Sequence, residues 1–372
     1  MISYTNYSLL PPNCKNAALL SESAPYKLLV VFKASANAIA VGIFIFLAFT
    51  KPHTRIYHPN TRIIALITCI FMFLMALQHA CFYSFETWRI SFPYADPCER
   101  LWPTPALFSL RVMSGVFLIG LNSSFVILCI ERLVCVLRIS NYEESSRPAL
   151  VATIVISTTA LFSVVLILLC IPGVDWDEKL AVTTIRNSNN TANFQIMLIY
   201  MFALECVGVL FFSFLNFWSR SYRERIRGTK IAGTNCNLLF IKTNPSLSVK
   251  FQIEETIEMV RLFLPVVSVN CALNILTYLA ALISNEIWPI HSIPTDLQMV
   301  LYELDFISRL SPFFTSLLLA RGIGQLRRLL CCSATEQRTK VILNSNKDQD
   351  DHFNRLKQMF ETGAMAQRKN TH

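Results

Sequence analysis

Charge is what this 372-residue chain has least of. Asp, Glu, Lys and Arg make up 15% of it, against about a quarter in an ordinary soluble protein. Hydrophobic residues make up 53%, and the mean hydropathy is +0.45. A chain so short of charge does not suit a water-soluble globule of this size. Its twelve cysteines include no Cys-x-x-Cys pair, which sets aside the usual zinc and redox motifs. The six histidines form no His-x-x-His-His box, so a membrane di-iron oxidase is not expected. The last apolar run has no lysine for a retinal Schiff base. No enzymatic active site and no cofactor is expected. The start of the chain, Met1 to Asn6, has neither a basic patch nor an early apolar run, so the first apolar segment is expected to direct insertion. No internal repeat divides the chain into halves, as a secondary transporter would require.

Long uncharged runs are what the chain has instead. They are 34–50, 63–85, 112–130, 149–174, 192–218 (broken by Glu205), 262–285 and 297–320 (holding Glu303, Asp305 and Arg309). The first extends across Lys33 to Leu28. Spanning a bilayer takes about 20 residues of helix, and backbone polar groups in lipid must bond within their own segment. The expected fold is therefore an all-α membrane protein, a seven-transmembrane helix bundle. Its expected division is an N-terminal tail over 1–27, a bundle over 28–320, a juxtamembrane amphipathic helix over 321–334 and a disordered tail over 335–372.

Lys and Arg set the expected orientation. Twenty-three of the 33 fall in the alternate connections beginning with 51–62 and in the C-terminal tail. Six fall on the other side, which includes the N-terminal tail. The N-terminus is thus expected outside and the C-terminus in the cytoplasm. The net charge of +9 then belongs to a basic cytoplasmic face beside a membrane, and no nucleic-acid partner is implied. Asn6-Tyr-Ser and Asn189-Asn-Thr, both on the outer side, are candidate glycosylation acceptors. Cys14 and Cys98 lie on the same oxidising side, where a bridge between them is one possibility.

Three features mark the expected cytoplasmic face. Glu131-Arg132 closes the third run. Glu254 and Glu258, four residues apart on one helical face, enter the sixth. After the seventh, Ile323, Leu326 and Leu330 form an apolar stripe beside Arg327 and Arg328, ahead of Cys331 and Cys332. Those two cysteines are placed for acylation on the inner leaflet. A receptor-like bundle or a ligand-gated seven-span ion channel fits these features, and the cytoplasmic motifs favour the receptor.

Several motifs carry a family resemblance: Gln78-His79, Asp96-Pro-Cys98 with Arg111, Ile130-Glu131-Arg132, Asn141-Tyr-Glu143, and Leu247-Ser-x-Lys-Phe-Gln-x-x-Glu-Glu. In order and spacing they resemble the nematode serpentine chemoreceptors of the Sra superfamily, most of all its Srab branch, over about residues 25–335. The resemblance implies a G-protein-coupled receptor of a chemosensory neuron, in the plasma membrane of its cilium, with a small-molecule chemical ligand and a heterotrimeric G protein as partners. The chain departs from the general receptor pattern in lacking a cysteine in the 175–191 connection. It also carries Ser311-Pro312-Phe-Phe where many receptors have Asn-Pro-x-x-Tyr.

Two sites are expected. Arg132 should pair with Glu254 or Glu258 across the cytoplasmic end. His79, Arg111 and Glu303 each lie about six residues, roughly 9 Å, below the outer end of their spans. With Tyr83, Tyr278 and Tyr302 as aromatic walls, they should line a ligand pocket favouring an acidic or hydrogen-bond-accepting molecule. Glu205, Asp305 and Arg309 should lie deeper.

Overall fold

The computed structural model describes residues 11–49, 58–94, 96–137, 147–181, 191–228, 247–287 and 308–323. Its elements, in order, are α1 (Pro12–Glu22), α2 (Ala24–Phe49), α3 (Pro59–Ser91), a 3-10 turn (Pro97–Arg100), β1 (Trp102–Pro103), α4 (Thr104–Leu137), α5 (Pro148–Cys170), β2 (Lys179–Leu180), α6 (Thr191–Gly228) and α7 (Leu247–Ile287). Residues 311–323 form a further helix, α8, after a turn at Leu310. Among the described residues six helices, α2 to α7, are long and apolar enough to cross a membrane. The seventh expected run is described only from Ser308 onward, and it is helical there.

Prolines begin these helices where the sequence places them. Pro12, Pro59 and Pro148 each occupy an opening position, where the missing N–H would have had no intrahelical partner. His58 caps α3, its Nδ1 accepting from the Asn60 backbone N–H at 3.4 Å. Asn60 Oδ1 in turn accepts from the Arg147 N–H at 3.0 Å, tying the start of α5 to the start of α3.

The polar residues in the middle of α4 face neighbouring helices. Ser114, Asn122, Ser123 and Ser124 are all buried, as their polarity inside an apolar run requires. Gly120 lets α3 approach: a Cβ there would stand 2.5 Å from the Phe71 ring. Gly115 does the same for α5, where a Cβ would meet Leu166 at 2.5 Å. Beyond them Phe125, Phe212 and Phe263, from α4, α6 and α7, meet edge to face at centroid distances of 5.7 and 6.3 Å from Phe125.

The end of the bundle that carries α1 is closed by structure that composition alone did not announce. Residues 12–22 of the N-terminal tail are helical, and Cys14 is bonded to Cys98 in the 3-10 turn with 4.7 Å between their Cα atoms. β1 pairs antiparallel with β2, Trp102 opposite Leu180 and Pro103 opposite Lys179. Asn13 Nδ2 donates to the Lys179 carbonyl at 2.9 Å, and Thr104 Oγ1 to the Glu178 carbonyl at 2.6 Å. Beneath lies a buried hub. Glu86 pairs with Arg89 at 2.5 Å and accepts from Tyr26 Oη at 3.1 Å and Trp102 Nε1 at 2.9 Å. Arg89 also donates to the carbonyls of Arg100 and Ala181. The α5–α6 connection, which lacks a cysteine, is thus held to the start of α4 by strand pairing and hydrogen bonds.

Gly120→Ala should drive a methyl into the Phe71 ring and lower stability by about 1–3 kcal/mol, the usual cost of overpacking a filled core. Thermal unfolding of the detergent-solubilised protein measures this. Adding Phe71→Leu should recover most of the loss; an unshifted midpoint for Gly120→Ala alone would show that the α3–α4 contact is loose.

Candidate functional site

Read along α4, three buried polar layers cross the bundle. The first lies nearest α1. His79 on α3 and Ser114 on α4 meet through Nε2 and Oγ at 3.0 Å. Arg309, just before α8, brings Nη1 to 2.8 Å from Ser114 Oγ and 3.1 Å from His79 Nε2. A guanidinium only donates, so His79 Nε2 is the acceptor and the ring proton belongs on Nδ1. The Arg309 carbonyl accepts from Asn37 Nδ2 on α2 at 3.1 Å. α2, α3 and α4 therefore all meet at Arg309, α3 and α4 at its guanidinium and α2 at its carbonyl.

This layer corrects one expectation. Arg309, expected deeper than His79, brings its guanidinium directly against the His79 ring. The cation described beside His79 is Arg309. Arg111 is half-buried one turn before Ser114, and Gln78 Nε2 donates to the Leu110 carbonyl beside it at 2.6 Å. Tyr83 is buried one turn beyond His79, with Lys33 Nζ 5.2 Å from its ring centre. Tyr278 is half-buried and packs elsewhere, on the α4–α5–α6 cluster of Ile119, Leu166 and Met201. Tyr302, Glu303 and Asp305 lie outside the described residues.

The second layer is central. Glu205 on α6 has no solvent exposure and accepts from Asn274 Nδ2 on α7 at 2.8 Å. Asn122 of α4 and Cys271 of α7 adjoin the same carboxyl. One turn of α7 toward its start, Asn270 accepts from the Ser311 hydroxyl, which joins α7 to α8 just ahead of Pro312.

The third layer closes the opposite end. Arg132 is fully buried. Its Nε donates to Glu131 Oε2 at 2.6 Å, and Nη2 to Glu131 Oε1 at 2.8 Å. Nη2 also donates to Thr61 Oγ1 on α3, and Nη1 stands 3.2 Å from Glu255 Oε1 on α7. The same Glu255 oxygen accepts the His58 backbone N–H at 2.7 Å. Arg132 thus ties α4 to both α3 and α7.

The α7 carboxylate facing Arg132 is Glu255, not the expected Glu258, which is partly exposed and pairs with Arg261 at 3.3 Å. The Glu254 side chain lies outside the described atoms. Glu255 continues the buried stripe of Met259, Phe263, Val266, Asn270 and Asn274 backward along α7. That 3-to-4-residue spacing is the sequence signal for Glu255, and the i, i+4 spacing of Glu254 and Glu258 does not contain it. Thr61 and His58 carried no sequence signal, because their roles follow only from the approach of α3. Asn6, Asn189, Cys331 and Cys332 lie outside the described residues.

A family model described as serpentine type 7TM GPCR receptor class ab chemoreceptor matches residues 12–304. Among solved structures, squid rhodopsin is similar in fold, with a TM-score of 0.54 over 87% of this chain and 91% of that one, at 13% sequence identity. No curated protein matches the chain. Six described spans, a helical end to the seventh run and a rhodopsin-like arrangement make the molecule a seven-transmembrane helix bundle. The chain belongs to the serpentine class ab chemoreceptors, a family of seven-transmembrane G-protein-coupled receptors.

Proposed function

We propose that this receptor detects a small, acidic or hydrogen-bond-accepting molecule and signals through a heterotrimeric G protein. The observation that carries the reading is the Arg132 layer, a fully buried guanidinium tying α3, α4 and α7 at one end of the bundle. The Lys and Arg distribution makes that end cytoplasmic, where a G protein would bind among the inner connections. Two packings of the same helices, one with Glu255 on Arg132 and one without, provide a two-state element. A ligand shifts it only by preferring one packing.

Arg309, His79 and Ser114 are the best supported ligand-facing groups, with Tyr83, Arg111, Tyr302 and Glu303 as further members. A guanidinium receives a carboxylate in bidentate fashion, and a ligand that takes Arg309 from His79 and Ser114 alters the contacts of α3 and α4 with the seventh span. Asn6 and Asn189 carry glycans in this topology, Cys331 and Cys332 anchor the 321–334 segment by acylation, and 335–372 is a cytoplasmic tail. The receptor resides in the plasma membrane, at the cilium of a sensory neuron.

Glu255→Gln weakens the ion pair while keeping a hydrogen-bonding side chain, so ligand-free signalling should rise several-fold at matched surface expression, while Glu258→Gln should leave it at the parental level. A cAMP or calcium reporter reads both, and equal basal output from the two variants would remove Glu255 from the lock. Once a screen of acidic odorants in the same cells yields an agonist, Arg309→Gln should weaken its potency at least tenfold. Retained potency in both Arg309→Gln and His79→Ala would reject the anion-facing site. For orientation, glycosidase should shift the parent on a gel and act less on Asn6→Gln and Asn189→Gln; a C-terminal tag reachable on intact cells would reverse the topology.

A further inference from the structure

Glu205 is unlike every other buried carboxylate described here. Glu86 has Arg89, and Glu131 and Glu255 have Arg132. Glu205 sits near the middle of the Gln195–Trp218 span with no solvent exposure, and among the described residues no lysine, arginine or histidine pairs with it. Its Oε1 accepts from Asn274. Asn122, itself 4% exposed, and Cys271 adjoin the same carboxyl, so each group described against it is neutral. A lone carboxylate in a low-dielectric interior is costly, and ionisable groups at such depth mark ion paths or ligand counter-ions.

The surroundings narrow the choice. Phe125, Phe212 and Phe263 come from the same three helices as Asn122, Glu205 and Asn274, and they lie on the Arg132 side of that layer. On the α1 side the wall is Tyr278, one turn along α7 from Asn274, packed on Ile119 and Met201. Apart from the Cys271 thiol and the Asn270–Ser311 pair one turn away, the shell is apolar and aromatic, with one anionic group and two amides that can present oxygen by rotating. Aromatic faces and a carboxylate together favour an organic cation. A strongly hydrated metal ion would find few oxygens.

From this geometry we infer that the Asn122–Glu205–Asn274 layer is a binding site for the ammonium group of a small, largely apolar amine. Glu205 is the counter-ion, Asn122 the second polar contact and Tyr278 the aromatic wall. The site is separate from the anion-facing layer, since Asn122 lies eight residues beyond Ser114, roughly 12 Å along α4 at ~1.5 Å per residue. It does not depend on the proposed coupling to a G protein, and its test uses binding alone.

The test is thermal unfolding of the full-length receptor in detergent, titrated with hexylamine (protonated at neutral pH), with hexanol as the uncharged match. Hexylamine should raise the midpoint in a saturable way while hexanol does not, and Glu205→Gln should abolish the rise. Asn122→Leu, which keeps the carboxylate, should weaken the apparent affinity at least tenfold and serves if Glu205→Gln does not fold. Equal effects of amine and alcohol would overturn the assignment, as would a hexylamine response unchanged in the variants. A Glu205-dependent rise produced by sodium chloride over choline chloride, without amine, would also overturn it by making a metal ion the occupant.

Discussion

An arginine with no solvent exposure has to place its guanidinium against partners inside the protein, and the packing around Arg132 follows from that requirement. Glu131, its neighbour in sequence, takes two of the five N–H donors along one edge. The remaining donors are what draw in other helices: Thr61 brings α3 against the guanidinium, and Glu255 brings α7. Removing one member of such a buried set costs about 3–5 kcal/mol, because a charge is left without its partner. The interaction is therefore strong enough to define a state and local enough to be exchanged for another.

The two upper layers obey the same constraint with different chemistry. Ser114, Asn122 and Arg132 are spaced along one face region of α4, and each draws a different set of helices inward. Between the polar layers the contacts are apolar and close, as at Phe125 with Phe212 and Phe263. A close-packed interface of this kind has few intermediate arrangements. A shift imposed at one polar layer is then passed on as a change of helix position rather than absorbed by soft packing.

The bundle was legible in the sequence because its signal is additive: long uncharged runs need no knowledge of their neighbours. The starts of α3 and α5 were equally open, since Pro59 and Pro148 act locally. Pairings were not. Arg132 could be singled out as a buried charge, but whether Glu254, Glu255 or Glu258 met it depends on the rotation of α7, which its buried stripe reveals and the spacing of two carboxylates does not. The meeting of Arg309 with His79 and Ser114 likewise depends on how the seventh run packs against α3 and α4, which a count of residues along the run does not give. The closure at the α1 end was the least visible part, because a two-residue strand pair and a helix in the tail leave almost no periodic trace. The Cys14–Cys98 bridge was one possibility among others until the fold brought the two residues together.

That bridge has a topological result. Together with the intervening backbone, the bond between residues 14 and 98 closes a covalent ring that contains both α2 and α3. A single break anywhere in that ring leaves its pieces attached, so the first two spans cannot drift apart in the plane of the bilayer. Biosynthesis meets the same ring from the other direction: Cys98 follows Cys14 by 84 residues, and the ring cannot be sealed until two whole spans have been made. From then on α1 is tied covalently to the 3-10 turn that leads into α4.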